Sequence, residues 1–231
     1  MATQSPEIRN LLAHDSMVDE VDNKMDFFGG LMNAFMEQRH VDVWLKAGDE
    51  TDAIPAHKLI LVARSRIFKY MLESDDCKGP SKDTITLSEM TRDELETFLE
   101  YMYNGWLVDT TLAKHVHGLY AAADKYEVPY LQDICRNKLI ASLDPSNAFD
   151  VLDLAKTHSD RILEDEVYKF FTSQLDEISM SSKFESFVEY NPALTVRMIR
   201  GYVNKVQTEE AFETVIQHFK HRNSCPSEVP T

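Results

Sequence analysis

Glycine and proline are scarce, seven and eight in 231 residues. A loop-rich or all-β chain spends far more of both on its turns, so the sequence predicts a helix-dominated fold. The three cysteines, Cys77, Cys135 and Cys225, are odd in number and widely separated. No CxxC occurs, which excludes a zinc ribbon or a disulfide framework and points to a reducing compartment. Positive charge is also short, with 24 Lys and Arg against 39 Asp and Glu, a net −15. Backbone contacts to nucleic acid and to anionic lipid need the opposite balance, so neither partner is expected. No apolar run reaches the roughly 18 residues of a spanning helix. The opening "MATQSPEIRN" lacks the basic and apolar regions of a signal peptide.

Catalytic motifs are missing as well. There is no GxSxG, HExxH, P-loop or GxGxxG. His115 and His117 lie two apart on a predicted helix and diverge by roughly 200°, whereas helical metal pairs need a spacing of three or four. "DNKMDFFGG" imitates a calcium loop, but counted from Asp22 its sixth residue is Phe27 and its twelfth is Asn33. That pattern lacks the required Gly and Glu. No cofactor, metal or enzymatic activity is expected.

What the chain does have is patterned apolar sequence. After an acidic, loosely ordered segment (1–26), Phe28, Leu31, Phe35 and Met36 recur at helical spacing and predict an amphipathic helix over 27–38. "VDVWLKAGDETDAIPAHK" alternates as a hairpin, with Pro55 marking an edge strand. "IPAHKLILVARSRIFKYML" (54–72) then carries apolar residues at 59–63, 67, 68 and 70–72. As one helix these surround the wheel, which predicts burial on more than one side. Either the remaining chain or a second molecule covers the surplus. His57, at a strand-to-helix junction with no nucleophile nearby in sequence, reads as a structural residue.

A loop over 73–83 and a strand over 84–88 follow. The capping box Thr91–Glu94 opens a helix closed by Asn104-Gly105. Two more helices run to about 143. From Asp144-Pro145 onward the pattern is helical throughout, with a last helix over 208–220 and a polar tail. The fold class is α+β: a small three-stranded sheet with a helical cluster, then an all-α extension.

The stretches "VDVWLKAG", "AHK", "ARS-x-x-F", "FLEYMYNG" and "AAADKY" together resemble a BTB/POZ domain over residues 27–143. Residues 144–206 resemble the BACK-like extension of speckle-type POZ and plant BTB/POZ adaptors, leaving 207–231 as a C-terminal helix and tail. The resemblance implies a homodimer and recruitment of a cullin-3 ubiquitin ligase, in the cytoplasm or nucleus. By position it implies a dimer face made of Phe28, Leu31, Phe35, Met36, Leu59, Ile60 and Val62, with Asp42 and Lys58 as a charged pair. It also implies a cullin contact near Leu72, Asp75, Asp76 and Tyr103. The 73–83 loop departs from the family pattern, because "ESDDCKGPSKD" holds no hydrophobic-x-Glu motif. Residues 1–26 and the tail are too short for a MATH or kelch domain. A client is therefore expected to be read by the ends, the extension or another subunit.

Overall fold

The computed structural model describes residues 29–48, 50–73 and 84–223. The chain divides into two compact units, Met1–Lys138 and Leu139–Thr231.

In the first unit, α1 (29–36) precedes a sheet of order β2-β1-β3. In β1 (Val43–Ala47) the alternation drives Val43, Leu45 and Ala47 into the core and leaves Trp44 outward. β2 (Ala53–Ala56) pairs with it antiparallel, setting Pro55 opposite Trp44 on an edge strand, where a missing N–H does least harm. β3 (Thr84–Leu87) lies parallel on the other side, with Leu45 opposite Ile85.

The apolar run of 59–72 is two helices, α2 (Lys58–Arg64) and α3 (Arg66–Glu73), and not the single helix predicted. Ser65 breaks it, with φ −139° and ψ 125°. Its N–H closes α2 on the Leu61 carbonyl, and its Oγ accepts the Phe68 N–H at 3.1 Å, capping α3. The same hydroxyl donates to the Tyr126 carbonyl at 2.5 Å. A serine competing for backbone partners in this way ends a helix that the surrounding propensities would continue. Only Leu61 of α2 and Phe68 of α3 are fully buried.

Thr91 and Glu94 form the predicted capping box of α4 (Arg92–Asn104), and Gly105 ends it at φ +79°. Leu95, Phe98, Leu99 and Met102 line its buried face. On α5 (Asp109–Lys125), Gly118 lies where a Cβ would sit 2.0 Å from Glu94 Oε1, so the capping carboxylate occupies space that only a glycine leaves open. Tyr126 follows α5 and stacks on Phe68 at 4.7 Å between ring centroids, with Phe98 at 5.9 Å. α6 (Pro129–Ala141) begins on its proline.

The second unit is all helix: α7 (Ala148–Thr157), α8 (Arg161–Ser173), α9 (Leu175–Ile178), α10 (Ser182–Tyr190) and α11 (Pro192–Asn223). Asp160 caps α8 through the amides of Ile162 and Leu163, and Ser181 caps α10 through that of Phe184. Phe149, Phe171 and Phe187 meet at centroid distances of 4.8 to 5.8 Å to form its aromatic centre. The separate helix predicted over 208–220 is the continuation of α11. Thr208 does not cap a new helix, because its hydroxyl donates to the Asn204 carbonyl at 2.7 Å, one turn back.

Candidate interaction surface

α1, the β2–α2 junction and the end of α4 converge on Tyr103. Its side chain is only 1% exposed. The hydroxyl accepts the His57 N–H at 2.9 Å and lies 2.6 Å from His57 Nδ1. The other ring nitrogen, Nε2, is 2.7 Å from the Arg39 carbonyl. A carbonyl only accepts, so Nε2 carries the proton, and Nδ1 accepts from the tyrosine O–H. Phe35 of α1 stacks on the Tyr103 ring at 4.6 Å. Burial pushes the Tyr103 phenol up to about 12, with the His57 amide bond acting in the opposite sense. It is a neutral hydrogen-bonding group across the ordinary pH range. Both imidazole nitrogens of His57 are engaged, so this histidine fixes the junction, as its sequence context suggested.

Apolar side chains remain outside the core near this joint. Leu31 is 41% exposed, Met36 68% and Leu59 76%. Phe35, Ile60 and Val62 are half-buried. The exposed Asp42 accepts the Lys58 backbone N–H through Oδ1 at 2.7 Å. That bond supplies the cap that the His57 side chain does not give α2. The contact between Asp42 and Lys58 thus includes a main-chain bond that sets the direction of the helix.

Phe28, Asp75 and Asp76 lie outside the described residues. Leu72 is half-buried near the end of α3. Tyr103, at the helix end where the resemblance places a cullin contact, is itself buried, held by His57 and covered by Phe35. Sequence reasoning also missed a polar row on α4. Arg92, Glu96 and Glu100 recur every four residues and so share one helix face, a spacing visible in "RDELETFLE".

Among the described residues no group of His, Cys, Asp and Glu has the arrangement of a metal site. Cys135 is fully buried, and burial pushes its thiol up to about 12, so it is not a nucleophile. No described helix is long and apolar enough to cross a membrane.

These features define a small α+β interaction domain with a helical extension. Its sequence matches the model of the BTB/POZ domain over residues 32–143. It is 42% identical to the BTB/POZ domain-containing protein At1g01640 of Arabidopsis thaliana, over 82% of this chain and 91% of that one. It is 44% identical to At5g48510, a BTB/POZ domain-containing protein of the same plant, over 77% and 82%. Among solved structures it is similar to the BTB domain of zebrafish PATZ1, with 20% identity and a TM-score of 0.43 over 53% of this chain and 95% of that one. The chain belongs to the BTB/POZ domain family, a family of protein-interaction modules.

Proposed function

We propose that this protein is a homodimeric adaptor that brings client proteins to a cullin-3-based ubiquitin ligase. The observation that carries the dimer is the apolar surface left on α1 and α2. Leu31, Met36 and Leu59 face solvent beside a joint in which His57 and Tyr103 are hydrogen-bonded. Covering a leucine is worth about 1.5–3 kcal/mol, and a second copy brings the same surface to the same place. The family resemblance supports the ligase partnership. Its test is capture of the cullin-3 N-terminal region by the purified chain. A micromolar complex supports the adaptor. An intact dimer that captures no cullin removes it.

One observation favours a second role, a dimerising scaffold with no ligase partner. "ESDDCKGPSKD" carries no hydrophobic-x-Glu motif at the position where cullin-binding relatives place one. The same capture experiment separates the two, because both predict the dimer.

A further inference from the structure

A groove of about 680 Å³ runs between α1, the edge strand β2 and the solvent face of α4. Its apolar side is Met32, Phe35 and Met36 from α1 with Ile54 and Pro55 from β2. Two methionines one helical turn apart give a surface that adjusts to differently shaped side chains. The opposite wall is charged. Arg92 Nε pairs with Glu96 at 2.9 Å, and Lys114 of α5 pairs with Asp93 at 3.3 Å. These pairs consume both cations of the groove and two of its three carboxylates. Glu100 is the third. It lines the groove half-buried, and no hydrogen bond or ion pair to it is formed among the described residues.

We infer that this groove binds a short segment of a partner protein in which an apolar residue stands beside a lysine or arginine. The apolar residue covers Met32 and Ile54, and the cation meets Glu100, while Met36 at the rim stays with the proposed dimer face. Charge complementarity selects the occupant, since an acidic segment would face an odd carboxylate with both neighbouring cations already paired. Strand addition is not the mode, because Pro55 removes a donor from the β2 edge. Under the adaptor function proposed above, this groove reads the client. The binding itself needs no ligase, so its failure and that of cullin capture are separate results.

The test is panning of a phage-displayed random peptide library on the full-length chain. The enriched peptides are then measured by fluorescence anisotropy. Enriched sequences should pair an apolar residue with Lys or Arg. Glu100→Gln should weaken them about fivefold to tenfold, the range for a half-buried charge-assisted bond. Panning on Glu100→Lys should select acidic residues at the same position. Met32→Ala, which leaves Glu100 in place, should weaken all of them. Circular dichroism reports folding for each variant. Enriched peptides without a cation, or affinities indifferent to Glu100, overturn the inference. So does a Glu100→Lys chain whose sedimentation shows lost self-association, which would assign the groove to a second copy.

Discussion

The Tyr103 hydroxyl bridges two groups of His57, accepting its backbone N–H at 2.9 Å and lying 2.6 Å from its Nδ1. One oxygen thus ties the end of α4 to the start of α2, and the ring beneath it carries Phe35 of α1. Tyr103→Phe keeps the ring and removes only the oxygen. It leaves a backbone donor and an imidazole acceptor unpaired in a part-buried site, which costs about 1–3 kcal/mol. Urea unfolding should show that loss in the midpoint with an unchanged slope. An unchanged midpoint would mean that water replaces the hydroxyl and that the joint is looser than its geometry.

The apolar surface next to this joint gives the second prediction. Leu31 and Leu59 are exposed in the single chain, so Leu31→Asp with Leu59→Asp leaves its core intact. In a dimer built on this face, each substitution buries a carboxylate against apolar side chains. Sedimentation should find a monomer with the wild-type circular dichroism spectrum. A dimer that survives both changes places the interface elsewhere on the molecule.

Much of this was legible in the sequence, and where it was not the reason is local. The strands, the capping box at Thr91 and the stop at Gly105 follow from side-chain period and backbone chemistry that act within a few residues. The break at Ser65 was not legible, because "VARSRIF" has strong helix formers on both sides. What ends α2 there is a partner 61 residues away, the Tyr126 carbonyl. The start predicted at 208 errs in the other direction, since the helix runs on through Thr208, whose hydroxyl serves the preceding turn. Of the candidate surface, Leu31 and Leu59 are exposed, but the wheel that predicted burial of 59–72 on more than one side assumed one helix where Ser65 makes two. The burial of Tyr103 did not show in "EYMYNG", where alternate tyrosines read as a helix end. Packing against Phe35 and His57, distant in sequence, decides it. That Glu100 has no partner among the described residues depends on which of its neighbours pair with each other, and sequence spacing alone does not say.

Gly118 supplies a third prediction with an unusual sign. Replacing a mid-helix glycine by alanine ordinarily stabilises by about 1 kcal/mol. Here the new Cβ would lie 2.4 Å from the Glu94 carboxyl carbon. Glu94 is not free to swing aside without cost, since its Oε2 accepts the Thr91 N–H at 2.9 Å and completes the cap of α4. Losing that bond costs about 0.5–2 kcal/mol. Gly118→Ala should therefore bring no gain in thermal stability. The double variant Gly118→Ala with Glu94→Ala should be more stable than Glu94→Ala alone. If the single variant gains its full kilocalorie, the carboxylate has found another route to the Thr91 amide.

The last prediction concerns acid. Glu89 follows β3 and accepts hydrogen bonds from the Tyr126 hydroxyl and from Lys125, whose Nζ is 2.7 Å from Oε2. Burial alone would raise its pKa. The bonds from Lys125 and Tyr126, with the Lys125 charge, outweigh that and hold the carboxyl below its usual 4.5. Burial, aided by the same carboxylate, pushes the Tyr126 phenol up, so the pair is a carboxylate accepting from a neutral phenol across the ordinary pH range. A carboxyl whose folded pKa is depressed binds fewer protons folded than unfolded. Its stabilisation is complete above the unfolded value, near 4.5, and is lost as pH falls through the folded one. Unfolding midpoints in urea should therefore fall below pH 4.5 more steeply for the wild type than for Glu89→Gln. The two curves should approach each other in acid and separate toward neutrality. Parallel curves would mean that Tyr126 and Lys125 stabilise the two charge states of Glu89 equally, leaving the Ser65–Tyr126 bond and the Phe68–Tyr126 stack to hold this corner.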